Sequence, residues 1–447
     1  MINQFRTYIN SSGLGPIVVK AVIGSAGLRL IGMVFSFLVG VQLARGLGAE
    51  GYGIYGLAMS IIALLTVPTE FGLPQLVTRE VSAAQVANAW GRMRGILRWA
   101  MCTSLMISLG VASFVLLWLA LSGHGLDSPL GKTLLVGLFM VPLVAQNKIN
   151  SAALSGLQHI VKGQLPNILV RPGLFSLFLF VMPYLITPLN PSLAMGLGVM
   201  SAALAFFSAT LMLRKEMPKT VLSAKPIIDR RYWWSSALPM ALTEGMRLLQ
   251  GHLVILLLGI MSTVTMVGVY RVVNSVMIMV AFPISLLNVV SAPIISRLYA
   301  QGDKERLQRL LLWISLSMTG CILVLMLPFL VEGKLLLRLV FGADFAGGNS
   351  TLLLLCTGAV CNGFFGANAA LLNMTGHQGR VTRASGLSLT LLTVILPPFI
   401  KFAGIEGAAV GSSLSIGVWN YIMWRDALRL LLLDSSVGAY LRIKKKV

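Results

Sequence analysis

The stretch SSALPMALTEGMRLLQGHLVILLLG, residues 235–259, has the length and hydropathy of a bilayer-crossing helix, yet Glu244 and Arg247 sit near its middle. A charge at the centre of such a helix costs roughly 2.5–3.5 kcal/mol even on the lenient insertion scales. The stretch is therefore read as a membrane helix whose two charged residues face protein or water rather than lipid.

The rest of the chain has the same character. Of its 447 residues 56% are hydrophobic and 11% charged, against about 25% charged in a soluble domain, and the mean hydropathy is +0.85. Apolar runs of about 18–25 residues recur from end to end, each able to cross a hydrocarbon core about 30 Å thick. They are continuous rather than alternating, which indicates helices and excludes barrel strands. Twelve spans are expected, at 21–43, 53–71, 97–121, 131–154, 167–186, 193–213, 235–259, 265–290, 310–330, 351–373, 384–402 and 406–431. The apolar region of the first is too long for a cleaved signal peptide and lacks a small-x-small site, so it is read as a retained helix. The predicted fold is an all-α polytopic membrane protein.

A net charge of +21 would suit a nucleic-acid partner, but its distribution says otherwise. With twelve spans both termini lie on one side, and 26 of the 35 basic residues fall there. They include Arg6, Lys20, Arg79, Arg92, Lys162, Arg171, the linker bases Arg214 to Arg231, and Arg442 with Lys444, Lys445 and Lys446. Only Arg45, Lys132, Lys334, Arg338 and Lys401 fall on the other side. The positive-inside rule makes the first side cytoplasmic, and the excess then serves orientation and attraction to anionic lipids. No nucleic-acid partner is expected.

The polar interruption 214–234 divides the spans six and six. The expected organisation is an N-terminal six-helix lobe (1–213), a basic cytoplasmic linker (214–234), a C-terminal six-helix lobe (235–431) and a basic cytoplasmic tail (432–447). The halves repeat. Gly53, Tyr55, Ser60 and Pro68 return as Gly268, Tyr270, Ser275 and Pro283, and Ala152-Ala153-Leu154 returns as Ala369-Ala370-Leu371. An even number of spans per repeat gives both halves the same orientation, related by an axis along the membrane normal.

The repeat also pairs Arg29 of the first span with Arg247 of the seventh, 218 residues later. Thr243, Glu244, Arg247, Gln250 and Gly251 share one face of their helix, and Ser25, Arg29, Gly32 and Ser36 share one of theirs. Two readings of Glu244 and Arg247 stand: an i, i+3 pair that neutralises itself and supports packing, or part of a polar cleft. Arg29 has no acid on its own helix, so a cleft lined by these faces keeps a net positive charge. Arginine forks bind phosphate oxygens bidentately, and the functional reading is that Arg29 and Arg247 hold an anionic head group between the lobes. Arg271 either snorkels to an interface or joins the cleft as a third cation, and Lys148 is read as snorkelling. Glu70, at the end of the second span, is expected to cap its helix or pair with Arg79.

Signals for catalysis are weak. GLDSPLGKT at 125–133 has one residue too many for a phosphate-binding loop, and neither HExxH nor GxSxG occurs. Cys102, Cys321, Cys356 and Cys361 lie in or beside spans, where cysteine acts as a small hydrophobe. His124, His159, His252 and His377 lack ligand spacing. Neither an enzyme nor a metal site is expected.

The run LGAEGYGIYGLAMSIIALLTVPTEFGLPQLVTREVS, residues 47–82, resembles the corresponding region of bacterial polysaccharide exporters. The resemblance lies in a Gly-x-Gly-x-Tyr opening, then an acidic-x-Gly-Leu step at Glu70-Phe71-Gly72-Leu73 and the following Arg79. The second half echoes it weakly in GVYRVVNSVM and SAPIISRLYAQGD. This resemblance implies the multidrug, oligosaccharidyl-lipid and polysaccharide exporter superfamily, and within it the O-antigen type flippases of lipid-linked oligosaccharides. It further implies a V of two six-helix bundles working by alternating access in the bacterial inner membrane. The implied substrate is undecaprenyl diphosphate bearing a short glycan, destined for lipopolysaccharide or another polysaccharide, with other polysaccharide assembly proteins as possible partners. A proton or Na+ gradient is the implied driving force, with Glu244 and Glu70 as the acids to test for coupling. Lipid II flipping is the nearer alternative, since its head group is also an anionic diphosphate. Export of cationic drugs is disfavoured by the sign of the cleft.

Overall fold

The computed structural model describes residues 14–121, 127–182 and 188–439, and side chains from residue 24 onward except those of Pro239 and Thr243. Arg6, His124, Arg442 and the three lysines 444–446 lie outside the described residues, as do the side chains of Lys20 and Thr243. Among the described residues every regular element is helical. They are α1 (Leu14–Glu70), α2 (Leu73–Val86), α3 (Trp90–Leu121), α4 (Pro129–Leu138), α5 (Met140–Gly156), α6 (Ile160–Leu165), α7 (Arg171–Val181) and α8 (Pro191–Glu216) in the first half. After a short α9 (Lys219–Ser223) come α10 (Arg230–Met261), α11 (Val264–Val280), α12 (Phe282–Ala300), α13 (Lys304–Phe341), α14 (Asn349–Phe365), α15 (Asn368–Met374) and α16 (Gln378–Leu431).

Local chemistry sets several starts. Ser128, Asn190, Thr263 and Asp303 cap α4, α8, α11 and α13, each accepting from the backbone N–H three residues on. Such caps satisfy otherwise orphaned donors. Two helices are too long for one crossing. The 57 residues of α1 would extend about 85 Å at 1.5 Å per residue, but Gly48 breaks it with φ 66° and ψ −177°. The 54 residues of α16 break at Ala403 and Gly404. Among the described residues nine helical stretches are long and apolar enough to cross a membrane, and a bent pair, Ala343–Phe365 with Asn368–Met374, makes a tenth. The breaks in α1 and α16 divide each into two membrane-length pieces, so twelve segments result. Met106, Phe114 and Trp118 on α3 and Phe402 on α16 stay exposed, as lipid-facing side chains do.

By contacts the chain forms two compact units, one of residues up to Leu47 with Ile54–His252, the other of Gly48–Gly53 with the chain from Leu253 onward. The boundary thus falls inside α10, whereas the twofold division of the spans put all of 235–259 in the second half. The reason is burial: Trp233 and Ala237 are wholly buried in one core with Leu76, Val77, Met93, Ile96, Ile149 and Leu154. Trp99 stacks beside Trp233 with ring centres 5.2 Å apart.

Within the first unit α5 is central, packed by α2, α3 and α8. Polar loops assigned to one membrane face are bonded to each other here. Arg79 and Arg92 both bind the buried Glu80, at 3.2 and 2.8 Å, and both stack on Tyr232. Arg94 donates to the Ala224 carbonyl at 2.7 Å, and Lys162 and His159 bind Glu216. Arg171 is a correction. It lies inside the apolar segment Ile160–Val181 rather than at its cytoplasmic edge, half-buried and donating to Met140 Sδ. The segment begins about two turns earlier than its hydropathy suggested.

In the second unit α14 packs against α13 and α16. Ser388 and Ser415 bond reciprocally between the two arms of α16. The chain after α16 is tied down by Asp434, whose carboxylate accepts from Trp424 Nε1 at 2.9 Å and from Ser436.

The repeat extends beyond the residues that first revealed it. Ser60 and Ser275 each donate to the carbonyl four residues back, and Tyr55 and Tyr270 are both buried. Two helix ends recur in conformation with different residues. Left-handed Gln158 corresponds to Gly376, and left-handed Asn88 to Gly302. Each is followed by an N–H that reaches back five residues, as in His159 to Leu154 and His377 to Leu372. The repeat partners Gly53 and Gly268 also share one crossing inside the second unit. A Cβ on Gly53 would stand 1.9 Å from the Val264 carbonyl oxygen, and one on Gly268 2.0 Å from that of Ala49. Gly53→Val or Gly268→Val is therefore expected to destabilise the second unit by about 1–3 kcal/mol or more, measured by thermal unfolding of the purified protein. Unchanged melting for both variants would contradict this crossing.

Candidate functional site

A cleft of the first unit, about 420 Å³, gathers charged residues that the sequence scatters. α1 supplies Arg29 and, at its other end, Glu70; α5 supplies Lys148; α10 supplies Glu244 and Arg247. Three cations face two carboxylates, which leaves one positive charge in excess.

The two acids are already engaged. Glu70 is 3% exposed, and both its oxygens lie against Lys148 Nζ, at 2.7 and 2.8 Å. Glu244 receives Nε of Arg247 at 3.0 Å and also its Nη2. Arg247 remains largely exposed beyond that pair, with 67% of its side chain accessible. Arg29 is exposed and makes no ion pair among the described residues. The cleft therefore presents an uncommitted guanidinium, with two further cations whose carboxylate partners an incoming anion can displace or share.

Another part of the cleft is neutral and polar. Ser151 and Ser155 of α5 and Gln164 of α6 line it, with Asn167 from a π-turn at Pro166–Val170. Pro166 has no N–H, and the turn closes through the Arg171 N–H to the Pro166 carbonyl; such wide turns are common at functional sites. Ile168 in this turn abuts α1, its carbonyl oxygen 2.5 Å from where a Gly32 Cβ would stand, one turn from Arg29.

The structure thus brings Arg29, Arg247, Glu244 and Glu70 together. Arg271 belongs to the other unit, where it lies over the Tyr52 ring, 5.6 Å from its centre. Two local expectations are corrected: Glu70 pairs with Lys148 rather than Arg79, and Lys148 points into the cleft instead of snorkelling. In the sequence, Lys148 is marked only as the basic residue of its span that lies away from the span's first turn. Gln164 and Asn167 carry no signal, since the span was expected to start at 167. No group of three metal-ligating side chains occurs among the described residues.

Comparisons with known proteins follow the same lines. The profile of a family described as polysaccharide biosynthesis protein matches residues 18–299. No curated protein gives a significant sequence match. Among solved structures, an inward-facing multidrug resistance MATE family transporter of the MOP superfamily superposes with a TM-score of 0.72 at 12% identity. That alignment covers 90% of this chain and 97% of the other. The lipid II flippase MurJ, in an inward closed conformation, gives 0.68 at 13% identity over 92% and 87%. A MOP superfamily transporter from Pyrococcus furiosus, described as having a binding pocket of reversed polarity, gives 0.62 at 13% over 92% and 96%. At these identities the likeness is one of fold.

Proposed function

The chain belongs to the polysaccharide biosynthesis protein family, and from that premise we propose that it is a flippase of lipid-linked oligosaccharide. Its substrate is undecaprenyl diphosphate bearing an O-antigen or other polysaccharide repeat unit. The protein moves it from the cytoplasmic to the periplasmic leaflet of the bacterial inner membrane, with both of its own termini in the cytoplasm. The observation that carries this reading is the charge of the cleft: Arg29 without a carboxylate, beside Lys148 and Arg247. A diphosphate is polyanionic and needs cations to leave water, while a polyprenyl tail can stay in lipid.

The two halves act as the lobes of an alternating-access cycle, with a proton or Na+ gradient acting on Glu244 and Glu70. Arg271 acts as a further diphosphate ligand at another stage of that cycle. Lipid II carries the same anionic diphosphate, and the fold shared with a lipid II flippase makes it the second reading.

Binding to the purified protein tests the proposal. Undecaprenyl diphosphate oligosaccharide is expected to bind, and Arg29→Ala or Arg247→Ala each to weaken it by roughly 1.5–3 kcal/mol, the scale of a charged hydrogen bond. Tighter binding of lipid II would favour the second reading. Arginine-independent binding, or binding of a lipophilic organic cation alone, would reduce Glu244 and Arg247 to a structural pair.

A further inference from the structure

The neutral wall of the cleft has a bonding pattern that packing does not account for. Gln164 has a carboxamide oxygen shut off from solvent and without a hydrogen-bond partner, although its side chain lines the cleft. A buried acceptor left unpaired is costly, and such groups in native proteins call for an explanation. Its neighbours are held in place. Asn167 donates to Ser151 Oγ at 2.9 Å and accepts from Asn147 at 2.8 Å. Ser155 donates to the Ser151 carbonyl, and Thr78 to the carbonyls of Pro74 and Ala152. Asn167 keeps one N–H and one lone pair unused, and the Ser155 oxygen keeps its lone pairs.

We propose that this wall, centred on Gln164 and Asn167, is the subsite for the first sugar of the glycan, the one attached to the diphosphate. The inference rests on the flippase reading and adds to it the place where the sugar is read. Two chemically distinct sets of groups line one cleft: guanidinium and ammonium groups, which suit phosphate, and neutral amides and hydroxyls, which suit a sugar ring. A saccharide offers hydroxyl or acetamido donors to the Gln164 oxygen and acceptors to the Asn167 N–H. Carboxylates are absent from the Gln164–Asn167 wall, so the diphosphate beside it meets no added repulsion. Because Asn167 is fixed by Asn147 and Ser151, it needs no reordering when a sugar arrives, which favours affinity, while the Gln164 carboxamide turns outward to trade its unpaired burial for a sugar donor.

Three probes separate this inference from the reading beneath it: bare undecaprenyl diphosphate, the same lipid carrying one hexose, and the same lipid carrying one N-acetylhexosamine. The glycosylated lipids are expected to bind about three- to tenfold more tightly than the bare one, the scale of one or two neutral hydrogen bonds. Gln164→Leu, and Gln164→Asn with its amide drawn back by one methylene, are expected to remove that gain and leave bare-lipid binding unchanged. Unchanged bare-lipid binding also certifies the fold of both variants. The larger of the two gains identifies the donor as hydroxyl or acetamido N–H. Arg29→Ala should weaken all three lipids alike. If the sugar adds no affinity, or its gain survives both Gln164 variants, the subsite is refuted while the flippase reading stands. If bare lipid fails to bind, or binds regardless of Arg29, the flippase reading falls and the subsite with it.

Discussion

Lys148→Ala is expected to destabilise the first unit by about 3–5 kcal/mol, the cost of leaving one member of a buried ion pair without its partner. The expectation follows from the asymmetry of the pair. Glu70 is 3% exposed and both its oxygens depend on the one ammonium group. Removing the lysine strands a buried carboxylate without its counter-ion. Replacing both residues removes the stranded charge, so Lys148→Ala combined with Glu70→Gln should recover most of the loss. SDS-induced unfolding of the single and double variants in bicelles measures both. A double variant no more stable than the single one would mean that Lys148 acts through packing rather than through Glu70. The pair sets the shape of the cleft as well as its charge, because it joins the end of α1 to the centre of α5.

What the sequence disclosed and what it concealed divide along one physical line. Periodicity and length are local, so the membrane segments were legible, including the two that run on through Gly48 and through Ala403 and Gly404. The repeat was legible because Gly53 and Gly268 answer a steric demand that no other residue meets. Arg29, Glu244 and Arg247 stood out because a charge in an apolar run is conspicuous whatever it touches. Partnership is not local. Glu70 and Lys148 are 78 residues apart and on different helices, and a nearer arginine offered the more obvious match. Arg271 was grouped with the cleft because α11 repeats the second span, and repetition fixes a residue's position within its own unit. Arg171 and Gln164 were misplaced or missed for one reason: the polar start of the fifth span, with Lys162, Gln164 and Asn167, looks like a loop on hydropathy alone. The structure makes it helical because its amides bond to Asn147 and Ser151 of α5, or face the cleft, rather than water.

Arg29→Glu should have the largest effect on binding of any single substitution in the cleft. It removes the one of the cleft's three cations that makes no ion pair among the described residues, and puts a carboxylate where the diphosphate would lie. The balance of three cations against two carboxylates becomes two against three. Loss of a charged hydrogen bond alone lowers affinity by about ten- to a hundredfold, and juxtaposed like charges add further cost. Undecaprenyl diphosphate oligosaccharide should therefore bind at least about a hundredfold more weakly, and more weakly than to Arg29→Ala. Because Arg29 is exposed, the protein should melt as the wild type does. The same variant tests the competing view of the fold, in which a cleft like this one holds organic cations. If charge sign selects the cargo, a lipophilic cation that the wild type does not retain should bind the glutamate variant. Equal diphosphate-lipid binding by wild type and Arg29→Glu would place the diphosphate elsewhere in the molecule and remove the electrostatic argument for this cleft.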